Sequence, residues 1–167
     1  MTRRLLFFGC LLCCSPAALS QQPANGMQNQ PTVIGGLAVQ IPESVTNQVE
    51  LGDTALRTGH YDFALTSYRK ALEGVGQASK SAGYVHARIG EAYRRKGDLP
   101  SSLAALRKAK DLLPGNPSVL ILLATVLNEK GDQGAATAEL KAALKCSPSK
   151  QEEQRIRQLL GNGGAHK

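Results

Sequence analysis

Three stretches of this chain can be laid over one another without a gap, and that repetition restricts the fold more than any other feature. They are "GHYDFALTSYRKAL" from Gly59, "GDLPSSLAALRKAK" from Gly97 and "GDQGAATAELKAAL" from Gly131. Small residues coincide at Ala64, Ser102 and Ala136, and again at Ala71, Ala109 and Ala143. Large residues coincide at Tyr68, Leu106 and Leu140. Seven residues before each starting glycine stands another small residue, Gly52, Gly90 or Ala124, each behind an aliphatic one, Leu51, Ile89 or Leu123. The starts lie 38 and then 34 residues apart. A unit this short cannot bury its own apolar face, so it must stack on its neighbours.

The local signals within each unit are helical. Gly52 and Gly90 fall mid-helix, where glycine costs ~1 kcal/mol relative to alanine; they make sense if a neighbouring helix comes too close for a larger side chain. Gly59, Gly97 and Gly131 follow helical segments and suit the left-handed conformation that ends them. Asp98 and Asp132 come next as helix-starting residues, Pro100 lies in a first turn, and Asn116-Pro117 opens a helix in the same way. Ser149 and Glu152 have capping-box spacing, and Ile156, Leu159 and Leu160 behind them share one face. Seven helices are expected, at about 45–58, 62–74, 83–96, 100–113, 117–130, 134–146 and 150–160. With no Trp and only 4% aromatics, a thick aromatic core is not available to them.

The register of these copies resembles the tetratricopeptide repeat, a helix–turn–helix unit of 34 residues. The resemblance covers residues 45–148, as copies at about 45–78, 83–116 and 117–150. Pro114 and Pro148 close the second and third copies as the family does. The first departs with Gly76 and the insertion "QASKSAG", and the family's early Trp is replaced by Gln48, His86 and Leu120. The resemblance implies an all-α fold, antiparallel helix pairs stacked into a right-handed superhelical solenoid with a concave and a convex side. Residues 150–160 are expected as the capping helix that a stack needs at its end, and 161–167 as a flexible tail.

The N-terminal region has a different texture. "MTRR", the apolar "LLFFGCLLCC" and "SPAALS" have the layout of a secretory signal peptide over 1–20, with cleavage expected after Ser20. Its apolar run is too short for a transmembrane helix. The expected location is exported, periplasmic or extracellular; an uncleaved anchor and a lipoprotein built on Cys10 are the alternatives. Cleavage would remove Cys10, Cys13 and Cys14, leave Cys146 alone, and lower the net charge from +7 to +5. An intramolecular disulfide is then excluded, although the compartment would preserve one. Residues 21–44 carry one charge, Glu43, and read as a disordered linker. Within it, "TVIGGLAVQI" could pack on the domain or add as a strand to a partner.

No constellation for catalysis or metal binding stands out. His60, His86 and His166 are scattered without ligand spacing. Cys146 aligns with the apolar Leu112 and is expected as a small buried hydrophobe. The chain reads as non-catalytic and without a cofactor.

Binding is where the resemblance is informative. It implies a peptide or protein segment held along the concave side by the first helix of each copy. By register those positions are Thr46, Val49, Asp53, Leu56 and Arg57; then Tyr84, Ala87, Glu91, Arg94 and Arg95; then Ser118, Ile121, Thr125, Asn128 and Glu129. Leu56, Tyr84 and Ile121 are candidate apolar anchors. The paired Lys and Asn with which some family members grip a partner's terminal carboxylate are replaced here, by Val49 and Asp53 in the first copy, so acidic C-terminal tails are not the expected ligand. Two other uses of the groove remain open: occupation by residues 21–44, and self-association through repeat stacking. A second functional reading starts from the basic residues Arg94, Arg95, Lys96, Arg107, Lys108 and Lys110, which would attract an anionic envelope polymer or nucleic acid. Aromatic interleaving for base stacking is missing, which weighs against nucleic acid.

Overall fold

The computed structural model describes residues 32–34, 37–39 and 43–162. The signal-peptide reading of 1–20 lies outside the described residues, as does most of the linker. Seven helices follow a short hairpin: α1 (Glu43–Arg57), α2 (Tyr61–Glu73), α3 (Lys80–Lys96), α4 (Leu99–Leu112), α5 (Pro117–Glu129), α6 (Gln133–Lys145) and α7 (Lys150–Asn162). Each helix packs on the next in sequence, and α1 also touches α3, α3 touches α5, and α5 touches α7. The odd-numbered helices therefore form a continuous inner row, with the even-numbered ones behind them. This is an all-α repeat solenoid.

The junctions follow the turn chemistry. Gly59, Gly97 and Gly131 have φ of +82°, +90° and +92°, which side chains larger than glycine adopt only with strain. Asp98 accepts a hydrogen bond from the Ser101 N–H at 3.1 Å, Asp132 from Ala135 at 3.0 Å and Asn116 from Val119 at 3.2 Å. Ser149 and Glu152 close the capping box reciprocally: the Ser149 N–H donates to Glu152 at 2.9 Å and the Glu152 N–H to Ser149 Oγ at 3.3 Å. Replacing Asp98 or Asp132 with alanine is expected to cost ~1 kcal/mol each, read as a lower denaturation midpoint in urea with an unchanged slope.

The small and large positions of each unit meet across the helix pair. A Cβ added to Gly52 would lie 2.5 Å from the Tyr68 ring, and one added to Gly90 would lie 2.6 Å from Leu106 Cγ. In the third unit Ala124 and Leu140 share one core cluster with Leu106, Leu120 and Ile156. Tyr68, Leu106 and Ile156 are fully buried. Beside Leu106, the buried Ser102 hydroxyl donates to the Gly90 carbonyl at 2.7 Å, pinning α4 to α3.

Two expectations need correction. The linker reading of 21–44 fails in part. Thr32–Ile34 and Leu37–Val39 pair as antiparallel strands β1 and β2, with Thr32 opposite Val39 and Ile34 opposite Leu37, and α1 already starts at Glu43. In the sequence, Gly35-Gly36 separates these two apolar runs, which is a hairpin signal. The third helix starts at Lys80, not 83. Ser79 caps it, accepting from the Ala82 N–H at 3.1 Å, so part of the insertion becomes an extra turn of helix. Gly83 then lets that turn approach Leu112 and Leu113, to which an added Cβ would come within 3 Å.

Candidate functional site: the groove along the odd-numbered helices

The inner row encloses a cavity of about 820 Å³. Its walls are Glu50, Asp53, Thr54, Leu56 and Arg57 of α1, Arg88, Glu91, Arg94 and Arg95 of α3, Ser118 and Leu122 of α5, and Arg155 of α7. Helical geometry selects these positions. Residues three, four and seven apart share a face, which places Glu50, Asp53, Thr54 and Arg57 on one stripe and Arg88, Glu91 and Arg95 on the next.

The floor is a hydrogen-bonded cluster between the first two units. The Tyr68 hydroxyl donates to Asp53 Oδ1 at 2.6 Å, and Arg88 pairs with Asp53 Oδ2 at 3.3 Å. Arg88 Nε donates to the Tyr84 hydroxyl at 2.6 Å, with the guanidinium 5.1 Å from the centre of that ring. Burial and the neighbouring Asp53 carboxylate push the Tyr68 hydroxyl far above the usual phenol range, so it stays protonated as the donor. Burial also raises Tyr84.

A second cluster lies toward the helix ends. Glu91 accepts from Arg94 Nε at 2.8 Å and from Arg95 Nε at 2.7 Å, and Arg94 reaches Glu129 of α5 at 2.7 Å. Burial pushes the Glu91 carboxyl up, but the two guanidinium groups outweigh it and hold the carboxyl below its ordinary value. A carboxyl depressed in the folded state contributes stability at pH above its unfolded value of ~4.3, and that contribution is lost as pH falls through the folded value. Melting temperature followed against pH should therefore fall more steeply below pH ~4.3 in the parent chain than in Glu91→Gln.

Two groove arginines stand apart from these clusters. Arg57 donates to Thr54 Oγ1 at 3.3 Å and has no carboxylate within ion-pair distance among the described residues. Arg155 has neither hydrogen bond nor ion pair among them.

The register positions named from the sequence divide into two sets. Asp53, Leu56, Arg57, Glu91, Arg94, Arg95 and Ser118 come together on the cavity wall. Val49 and Ile121 do not: they are 3% and 2% exposed, inside the core. Leu56 is 5% exposed, so Leu56 and Ile121 offer little surface to an anchoring contact. Tyr84 is committed to Arg88, Thr125 donates to the Ile121 carbonyl at 2.8 Å, and Glu129 holds Arg94. Thr46, Ala87 and Asn128 are half-buried outside the cavity wall. The row one residue on, Glu50, Arg88 and Leu122, faces the groove instead. The composition of the two rows carries that signal: Val49, Ala87 and Ile121 are all apolar, whereas Glu50 and Arg88 are charged. Arg155, on the capping helix, lay outside the three-copy register.

The basic run is largely matched within the protein. Arg94 and Arg95 hold Glu91, Lys96 pairs with Asp62, and Lys110 pairs with Glu139 at 2.6 Å. His86, half-buried, is held below its ordinary value by burial and then by Lys108. Cys146 is half-buried at the end of α6, its thiol donating to the Ala142 carbonyl at 3.3 Å. Among the described residues no group of His, Cys, Asp and Glu is placed to hold a metal, and no helix is long and apolar enough to cross a membrane.

Stacked helix pairs with an open cavity along the inner row define a helical-repeat interaction scaffold. The chain belongs to the tetratricopeptide repeat family: the family's sequence profile matches residues 49–117 and 90–150. Solved structures share the fold. The TPR2B domain of yeast Sti1, in its pHsp70 complex, is 15% identical over 75% of this chain and 100% of that one, with a TM-score of 0.67. The Yersinia enterocolitica type III secretion chaperone SycD, in complex with a peptide of the translocator YopD, is 13% identical over 74% and 94% of the two chains, with a TM-score of 0.64. The P58(IPK) TPR domain is 23% identical over 72% of this chain, with a TM-score of 0.62; the match spans 32% of that longer chain. The fold is that of a protein–protein interaction module.

Proposed function

We propose that this protein is an exported adaptor or assembly factor that holds an extended segment of a partner protein in the groove of its odd-numbered helices. One observation carries the reading: a single cavity runs across α1, α3, α5 and α7 with its polar floor already ordered by the Asp53, Tyr68 and Arg88 contacts. A preorganised surface loses less on binding than one that must order itself. Structures of the same fold whose complexes hold a peptide, SycD with its YopD peptide among them, support a role in binding a segment of another protein. Arg57 and Arg155, without carboxylate partners among the described residues, suit acidic side chains along the bound segment, and Leu122 supplies apolar contact. The layout of residues 1–20 supports export, and the chemistry of the groove supports a binding role in place of catalysis. The matching of Arg94, Arg95, Lys96 and Lys110, four of the six residues of the basic run, by internal carboxylates weighs against a polyanion as ligand.

A photoreactive residue placed at Leu122 should capture a partner, whereas one at the exposed Ala104 of α4 should not. Equal capture from both positions overturns the groove reading. Reversing Arg57 and Arg155 to glutamate should weaken the captured complex roughly thirtyfold, from about 1 kcal/mol at each exposed site. N-terminal sequencing of the exported protein should begin at Gln21, and an intact Met1 would overturn the cleavage reading.

A further inference from the structure

We infer that the β1–β2 hairpin is the N-terminal cap of the solenoid, docking on the outer face of α1 and α2 around Leu51 and Phe63. Repeat register shows that this face lacks a cover. Ile89 and Leu123, which occupy the position of Leu51 in the second and third units, are 7% and 3% exposed, whereas Leu51 is 44% exposed. The neighbouring rows behave alike. Val85 and Val119 are buried where the first unit has exposed Asn47, and Ala92 and Val126 are buried where it has exposed Thr54. Phe63, at 53%, is the most exposed large apolar side chain among the described residues. The opposite end of the stack is treated differently: α7 packs on α5 and α6, with Ile156 fully buried. Along α1 the first unit thus presents, to the side where no repeat precedes it, a face that the later units bury, and Phe63 of α2 is exposed where those units have the half-buried Ser101 and Ala135.

The occupant is argued from length and from hairpin physics. An isolated two-stranded hairpin is marginal in water and needs a further apolar surface to persist. The strands TVI and LAV are rich in residues that pack well on such a surface. The chain from Val39 to Glu43 can span up to ~14 Å, and Leu51 lies ~12 Å along α1 from Glu43. Neither strand packs on α1 or α2 in the structure; the tether lets the hairpin swing onto the uncovered face without any rearrangement of the helices and gives it a high effective concentration there. Capping closes the one end of the stack that α7 leaves open and keeps Leu51 and Phe63 from pairing with another chain.

The test uses the full chain with benzoylphenylalanine replacing Ala38, irradiated and mapped by peptide mass spectrometry. Crosslinks are expected within one chain, to α1 and α2 peptides containing Leu51 or Phe63. Phe63→Ser and, separately, Leu51→Asp should lower their yield about tenfold, as loss of the local contact returns the hairpin to solvent. Both side chains are exposed, so the helical circular dichroism should be unchanged. Crosslinks between chains would assign the face to a second copy and overturn the inference. Crosslinks spread over α4 or α6, or a yield indifferent to both substitutions, would overturn it equally. Partner capture from Leu122 is a separate readout, so this cap can fail while the groove stands, and the reverse.

Discussion

Gly90→Leu is expected to unfold the chain at urea concentrations that leave the parent folded, with a loss of ~3 kcal/mol or more. Gly90 sits mid-way along α3 with Leu106 directly against it: even a Cβ would lie 2.6 Å from Leu106 Cγ and 2.7 Å from Cδ2. Leu106 is fully buried and has nowhere to retreat. The helices cannot slide apart cheaply either, because the Ser102 hydroxyl holds the Gly90 carbonyl at 2.7 Å. Alanine at this position sets two effects against each other. Higher helix propensity stabilises by ~1 kcal/mol, and overpacking costs ~1–3 kcal/mol, so Gly90→Ala should also destabilise, but less. A double-mutant cycle separates the causes. Leu106→Ala alone should cost ~2–5 kcal/mol as a cavity. Combined with Gly90→Ala it should cost less than the sum, because each change relieves the other. Strict additivity would show that the close approach is not what makes glycine necessary.

Ile156→Asp should release the capping helix. Ile156 is fully buried in the cluster that also holds Leu120, Leu123 and Leu140, so the substitution removes apolar contact worth ~2–5 kcal/mol and asks a carboxylate to enter an apolar site. In a stack, each unit is held by its neighbours alone, and α7 touches α5 and α6. The expected outcome is therefore local. Amides of α7 should exchange with solvent at rates near those of an unfolded chain, α5 and α6 should lose part of their protection, and α1–α4 should keep theirs. Uniform loss of protection would mean that the solenoid folds as one cooperative block. The same variant withdraws Arg155 from the groove, so partner capture from Leu122 should weaken in parallel with the loss of α7 protection.

Much of this architecture was legible in the residues because its causes are local. Capping by Asp98, Asp132 and Asn116, left-handed glycines at the turns, and the Ser149–Glu152 box are decided within four residues of chain. That Gly90 must be small was legible for another reason: three copies of one pattern average out the accidents of each, and the structure supplied Leu106 as the side chain it meets. Repetition failed as a guide where a single copy departs from the others. The insertion before α3 became helix because Ser79 could cap it and Gly83 could let it approach Leu112 and Leu113.

The groove was harder to read than the stack. Successive residues on a helix differ by about 100° in direction, so choosing Val49 over Glu50 changes a core position for a groove position. Register alone identifies equivalent residues; it does not say which way they face. Charge was equally hard to place. The basic run looked like a surface, but Arg94 finds Glu129 at 35 residues' separation and Lys96 finds Asp62 at 34, pairs that exist only once the units are stacked. The sequence by itself determined that the chain is a stack of helix pairs, where the turns between paired helices fall, and which residues must be small, because those properties follow from short-range sterics and hydrogen bonding. The tertiary structure decided which stripe of the odd-numbered helices is open, which arginines lack carboxylate partners, and which apolar side chains of the first unit are left uncovered, because each depends on how one unit rotates against the next.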